Sequence, residues 1–213
     1  MRGIAADRRK TIAAVLAASV VVIGVCAFAV NSGDGAEQVV AAAPSPTPMP
    51  TPTCSTTTKP FIPTSVSIPD VSKKISILPL PRDASSVPGT PPLTTLGKQS
   101  MAFDLGNGIK PGSLKGNALL NAHTYPDGSA LGNKLLDELE EGEQFQVVGP
   151  LGYMCYEVTD RREVPAGVYK PYFDKKGKPQ IAIVVCSGER IGPGNWTKRT
   201  LWFASPVDSL AAA

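Results

Sequence analysis

Histidine is almost missing from this chain: 213 residues contain one, His123. Cysteine is scarce as well, limited to Cys26, Cys54, Cys155 and Cys186. Charged residues make up 18% with a net charge of +3, and no stretch interleaves basic with aromatic residues, which argues against a nucleic-acid surface. There is no Gly-rich phosphate loop and no metal-ligand spacing, so nucleotide and metal roles drop out and neither cofactor nor metal is expected. The densest acidic group, Glu138, Glu140, Glu141 and Glu143, reads as a solvated face and not as a calcium site.

One absence is positional. Residues 11–30 carry no charge at all, while residues 1–10 carry Arg2, Arg8, Arg9 and Lys10 against Asp7 alone. Twenty apolar residues in a helix rise about 30 Å, the thickness of the hydrocarbon layer, whereas the apolar core of a signal peptide runs about 7–15 residues. Basic residues ahead of such a span place the N-terminus in the cytoplasm and everything after Asn31 outside. The expectation is a cytoplasmic segment at 1–10 and an uncleaved, single-pass signal anchor at 11–30. Small residues at alternate positions in Ala27-Phe28-Ala29 and Ala41-Ala42-Ala43 leave cleavage there as an alternative.

Beyond the span, Pro44-Ser45-Pro46-Thr47-Pro48-Met49-Pro50-Thr51-Pro52-Thr53 alternates proline with small residues. Proline fixes φ and removes the amide donor, so this run stays extended at about 3.1 Å per residue. Residues 31–62 are therefore expected as an extracellular tether, and residues 63–213 as one domain.

The pattern in that domain is mostly β. Short apolar or alternating runs occupy residues 65–68, 76–78, 118–122, 144–148, 153–158, 181–185 and 200–204, separated by Gly, Pro, Asn and Asp. A single helix is expected over residues 132–139, where Leu131, Leu135, Leu136 and Leu139 recur at helical spacing. Short strands in such number suggest a closed or nearly closed barrel.

Three side chains at the ends of these runs carry chemistry. His123 follows an apolar run and opens a polar loop, Cys186 ends Ile181-Ala182-Ile183-Val184-Val185, and Arg199 enters Thr200-Leu201-Trp202-Phe203-Ala204. Imidazole titrates nearest neutrality, a thiolate is a strong nucleophile, and a guanidinium offers a fixed fork of donors to developing negative charge. Each has a plainer reading, as surface histidine, buried small hydrophobe or surface charge. Cys155, between Met154 and Tyr156, reads as buried core, with a Cys155–Cys186 disulfide as the alternative. An unpaired Cys186 in an oxidising compartment would be unusual without a use.

The segments around these residues resemble one family. Gly116-Asn117-Ala118-Leu119-Leu120-Asn121-Ala122-His123-Thr124 looks like the strand and loop bearing the catalytic histidine of sortases. Ile183-Val184-Val185-Cys186 looks like the strand that ends in their Thr-Leu-x-Thr-Cys signature, and residues 196–204 look like the next strand with its arginine. The order His, Cys, Arg agrees, as do separations of 63 and 13 residues. Among the classes the chain most resembles the class F enzymes of actinobacteria, with class E next. It departs where Ala182 and Val185 replace the usual threonines.

The resemblance implies an all-β, eight-stranded barrel with one or two short helices. It further implies a cysteine transpeptidase anchored in the cell membrane with its catalytic domain outside. Cys186 would attack the Thr–Gly carbonyl of an LPXTG-like sorting signal on a secreted protein. His123 would protonate the leaving amine, Arg199 would steady the substrate and oxyanion, and a cell-wall amine would take the acyl group. A cysteine peptidase using the same residues and a non-catalytic wall-binding β-domain are the competing readings.

Overall fold

The structure is a computed structural model and describes residues 54–208. The basic segment at 1–10, the span at 11–30 and the tether up to residue 53 lie outside the described residues. Among the described residues no helix is long and apolar enough to cross a membrane.

Eight strands close into a barrel. In chain order they are β1 (Ser65–Ile68), β2 (Ser72–Leu80), β3 (Met101–Asp104), β4 (Asn117–Ala122), β5 (Gln144–Gly149), β6 (Gly152–Pro165), β7 (Gln180–Gly192) and β8 (Asn195–Pro206), with helix α1 (Leu131–Glu138) between β4 and β5. The order around the barrel is β1-β2-β3-β4-β7-β8-β6-β5, and β5 returns to β1 through pairs such as Val66 with Val147. Only β2–β3 and β4–β7 are parallel.

Alternation builds the interior. Ala118 and Leu120 of β4, Ile181 and Ile183 of β7 and Trp202 of β8 point inward with Ile77, Phe103, Phe145 and Tyr156 to form the main core. The opposite faces of the same strands are covered too. Leu119, Ala182, Leu201 and Phe203 form a second cluster with Tyr172, which sits in a short helical turn, Lys170–Phe173, on the β6–β7 connection. That cover explains why β4 is buried at all six positions, its apolar core Ala118-Leu119-Leu120 filling both faces.

The connection from β2 to β3 is pinned by an ion pair. Arg82 donates from Nε (2.9 Å) and Nη2 (2.6 Å) to Asp104 Oδ2, and the Asp104 carboxylate is fully buried. Gly106 N–H donates a further bond to Asp104 Oδ1 at 2.9 Å.

The cysteine arrangement corrects the sequence reading. Cys155 is buried, as expected, but it is bonded to Cys54 with a Cα–Cα distance of 5.9 Å, so neither an unpaired core cysteine nor a bond to Cys186 is formed. Cys186 is free. The partners stand 101 residues apart, a separation at which no local pattern announces a bond. The end of the expected tether is thereby part of the barrel's wall. Thr56 N–H donates to Tyr153 C=O at 2.9 Å, Cys155 N–H to Ser55 Oγ at 3.0 Å, and Phe61 is buried in the main core. Asp208 clamps the same segment by accepting from the amides of Cys54 (3.1 Å) and Ser55 (2.6 Å), and those bonds hold its carboxyl below the usual range.

Candidate active site

His123 leaves the end of β4, and the chain then turns into α1. Ala130, at the helix start, has no side-chain oxygen to cap it. Asn133 does this work from inside the helix: Oδ1 accepts from the amides of Tyr125 (3.0 Å) and Ala130 (3.3 Å), and Nδ2 donates to Tyr125 C=O (3.0 Å). Gly132 packs directly under the histidine, donating its N–H to His123 C=O at 2.8 Å. A Cβ at position 132 would lie 2.4 Å from that oxygen, so only glycine permits the approach.

β4 and β7 run parallel, with Asn121 beside Val184 and Ala122 beside Val185. This register brings the residues that follow, His123 and Cys186, to the same end of the barrel. Thr124 ties them together, its hydroxyl donating to Cys186 C=O at 2.7 Å. On the other side of β7, Arg199 of β8 is the cross-strand partner of Cys186. The structure thus gathers all three residues singled out in the sequence at one site.

Their states differ. Burial pushes the Cys186 thiol up from its usual range, and the Arg199 cation opposes this. The His123 ring places Nε2 2.6 Å from Pro91 C=O. A carbonyl only accepts, so Nε2 carries the proton and Nδ1 is left as the nitrogen able to exchange one. Arg199 rests on its own strand, donating from Nη1 to Lys198 C=O at 2.8 Å and Trp196 C=O at 3.3 Å.

Two cavities meet at this pair. One, of about 310 Å³, is lined by Val87, Pro88, Tyr169, Phe173, Val184 and Leu201 together with Asn121 and Arg199. The other, of about 520 Å³, is lined by Leu93, Thr124, Tyr125, Pro126, Arg190 and Trp196. His123, Cys186 and Thr90 border both. At the junction of an apolar groove with a second groove stand a thiol and an imidazole, groups chemically able to serve as nucleophile and proton carrier. Among the described residues no three His, Cys, Asp or Glu side chains converge as a metal site.

The architecture has known counterparts among solved structures. The chain is similar to the lid mutant of Streptococcus agalactiae sortase C1 (TM-score 0.51, 16% identity, 68% of each chain covered) and to sortase C1 from Streptococcus suis (TM-score 0.51, 17% identity, 70% of this chain and 74% of that one). It is equally similar to the complex of Streptococcus agalactiae sortase C1 and MTSET (TM-score 0.51, 18% identity, 69% of each chain). The fold is sortase-like. No family model matches the chain, and no curated protein matches it.

Within the sortase-like barrel, several site residues escaped the sequence reading. Thr124 directly follows His123, and its neighbourhood was the available signal. The Pro91 carbonyl and the wall formed by Val87, Pro88 and Thr90 come from the connection between β2 and β3, whose mixed Pro, Thr and Ser composition carries no periodic pattern. Asn121 lay in the segment read as the strand and loop leading to His123, with no role of its own assigned.

Proposed function

We propose that this protein is a membrane-anchored, extracellular cysteine transpeptidase that cleaves an LPXTG-like sorting signal between Thr and Gly and passes the acyl group to a cell-wall amine. The observation that carries this reading is the free Cys186 thiol standing with His123 where two cavities meet. The acyl part of the signal lies in the apolar groove. Its departing C-terminal peptide, and later the incoming amine, use the second cavity.

In this mechanism the Cys186 thiol passes its proton to His123 Nδ1 and Sγ bonds to the threonine carbonyl carbon; the imidazolium then returns that proton to the glycine nitrogen as the C–N bond breaks, leaving a thioester. Arg199 leaves the carbonyls of Lys198 and Trp196 to donate to the substrate and oxyanion. An amine then attacks the thioester, an amide forms and the thiol is restored. Within the sortases the reading is class F, supported by the sequence around the three residues and by a barrel whose only α-helix among the described residues is α1.

The test is mass spectrometry of the protein incubated with LPXTG-like peptides and a panel of amines. The expected product is an amide at the threonine carbonyl, with a thioester on Cys186 trapped when amine is withheld. A free acid formed in the presence of excess amine would identify a peptidase, and uncleaved peptide would refute the enzyme.

A further inference from the structure

One polar atom in the wall of the apolar groove has no partner. Asn121 is 8% exposed and lines that groove. Its Nδ2 donates to Gly89 C=O at 2.9 Å, which fixes the amide orientation because the carbonyl can only accept. Oδ1 is therefore turned away from Gly89, and it finds no hydrogen-bond partner among the described residues. Buried acceptors are normally satisfied, and an unsatisfied one at a ligand groove marks where a donor arrives. The nearby Tyr172 hydroxyl is already committed, donating to Leu120 C=O at 3.0 Å.

The register gives the distance to the thiol. Asn121 pairs with Val184, two residues before Cys186 on the parallel strand. At about 3.3 Å per residue, the Asn121 level lies roughly 7 Å along the groove from the Cys186 level. A peptide with its scissile carbonyl at Cys186 reaches that level two to three residues upstream, at the positions of Pro and Leu in an LPXTG-like signal. The groove that Asn121 lines is otherwise built largely from apolar and aromatic side chains, among them Val87, Pro88, Phe173 and Val184.

We propose that Asn121 Oδ1 is a specificity-determining acceptor for a side-chain O–H or N–H donor at one of those two substrate positions. The inference rests on the transpeptidase reading for the placement of the peptide. A signal with a hydroxyl or amide side chain there completes the Asn121 bond, whereas an aliphatic one leaves the oxygen buried and unpaired.

The experiment separates binding from cleavage. The full chain carrying Cys186→Ala is equilibrated with a peptide pool in which the Leu and Pro positions are randomised, and bound peptides are identified by mass spectrometry. Peptides with Ser, Thr, Asn or Gln at one position should be enriched about tenfold over aliphatic ones, the scale of one neutral hydrogen bond. Asn121→Leu and Asn121→Ala on that background, with folding checked by thermal melting, should erase the enrichment. The pool is also given to the chain with Cys186 intact. No enrichment in the Cys186→Ala chain, or enrichment that survives both Asn121 variants, overturns the subsite even when peptides are cleaved. Asn121-dependent enrichment without cleavage supports the subsite and refutes the transpeptidase. Absence of any binding overturns both.

Discussion

Opening the Cys54–Cys155 bond is the perturbation whose size the structure sets most directly. The bond closes a loop with a sequence separation of 101 residues. On the chain-entropy account, releasing a loop of that length frees the unfolded chain by about 4.7 kcal/mol at 25 °C. That is a large share of a typical domain's stability of about 5–15 kcal/mol. Cys54→Ser is the cleaner variant, because Cys54 is partly exposed whereas Cys155 is buried and would place a hydroxyl in apolar packing. The native contacts of the same segment, from Thr56 to Tyr153 and from Ser55 to Asp208, remain in this variant and keep it docked. Urea unfolding of Cys54→Ser against the parent, followed by tryptophan fluorescence, should show a midpoint lowered by the equivalent of about 3–5 kcal/mol. Thiol titration in denaturant should count one thiol more than in the parent, that of Cys155. A midpoint within experimental error of the parent would refute the loop-entropy argument and with it the structural weight placed on the bond.

Four further outcomes follow from the site and its supports. Thiolate formation at Cys186 should need alkaline pH, because burial disfavours the charged form; Arg199→Gln, by removing the opposing cation, should push the labelling profile higher still, and a profile at or below the ordinary cysteine range would contradict this. Arg199→Lys keeps the charge and should leave labelling intact while slowing peptide turnover by about two to three orders of magnitude, so wild-type kcat/KM in that variant would remove Arg199 from the reaction. Gly132→Ala drives a methyl group against His123 C=O and should lower both stability, by about 1–3 kcal/mol, and turnover; unchanged melting and kinetics would show that the loop yields freely. Arg82→Met strands the buried Asp104 carboxylate and should destabilise by about 3–5 kcal/mol in denaturant titration, whereas Arg82→Met with Asp104→Leu should recover most of that loss.

What could be read without coordinates follows where burial alternates. β1 has the bounds expected from Ser65-Val66-Ser67-Ile68, because every second residue enters the core. β7 was visible only over its apolar half. Beyond Cys186 it runs on to Gly192 as a ribbon with β8, exposing Gly188, Glu189, Arg190 and Ile191, and a ribbon with no core beneath it has no hydrophobic period to read. The charged half of β6, from Asp160 to Glu163, was hidden for the same reason. β3 failed differently: all four of its residues are buried, so nothing alternates, and its aspartate is neutralised by an arginine 22 residues away. His123, Cys186 and Arg199 were legible because each abuts an apolar run. Their shared groove was not, since its walls come from connections shaped by tertiary contacts alone.

The Cys54–Cys155 bond also decides how force travels through the molecule. A pull on the chain ahead of Cys54 passes across the sulfurs to β6, bypassing residues 55–154, which include β1 to β5, α1 and His123. When the opposite end of the pull is a peptide held at Cys186, tension runs from Cys155 forward through β6 to β7. The covalent path under tension then includes the strand bearing the thiol and leaves out the strand bearing the imidazole. In a single-molecule stretch from the N-terminus, the intact bond conceals about 350 Å of contour, taken at roughly 3.5 Å for each of the 101 residues it short-circuits.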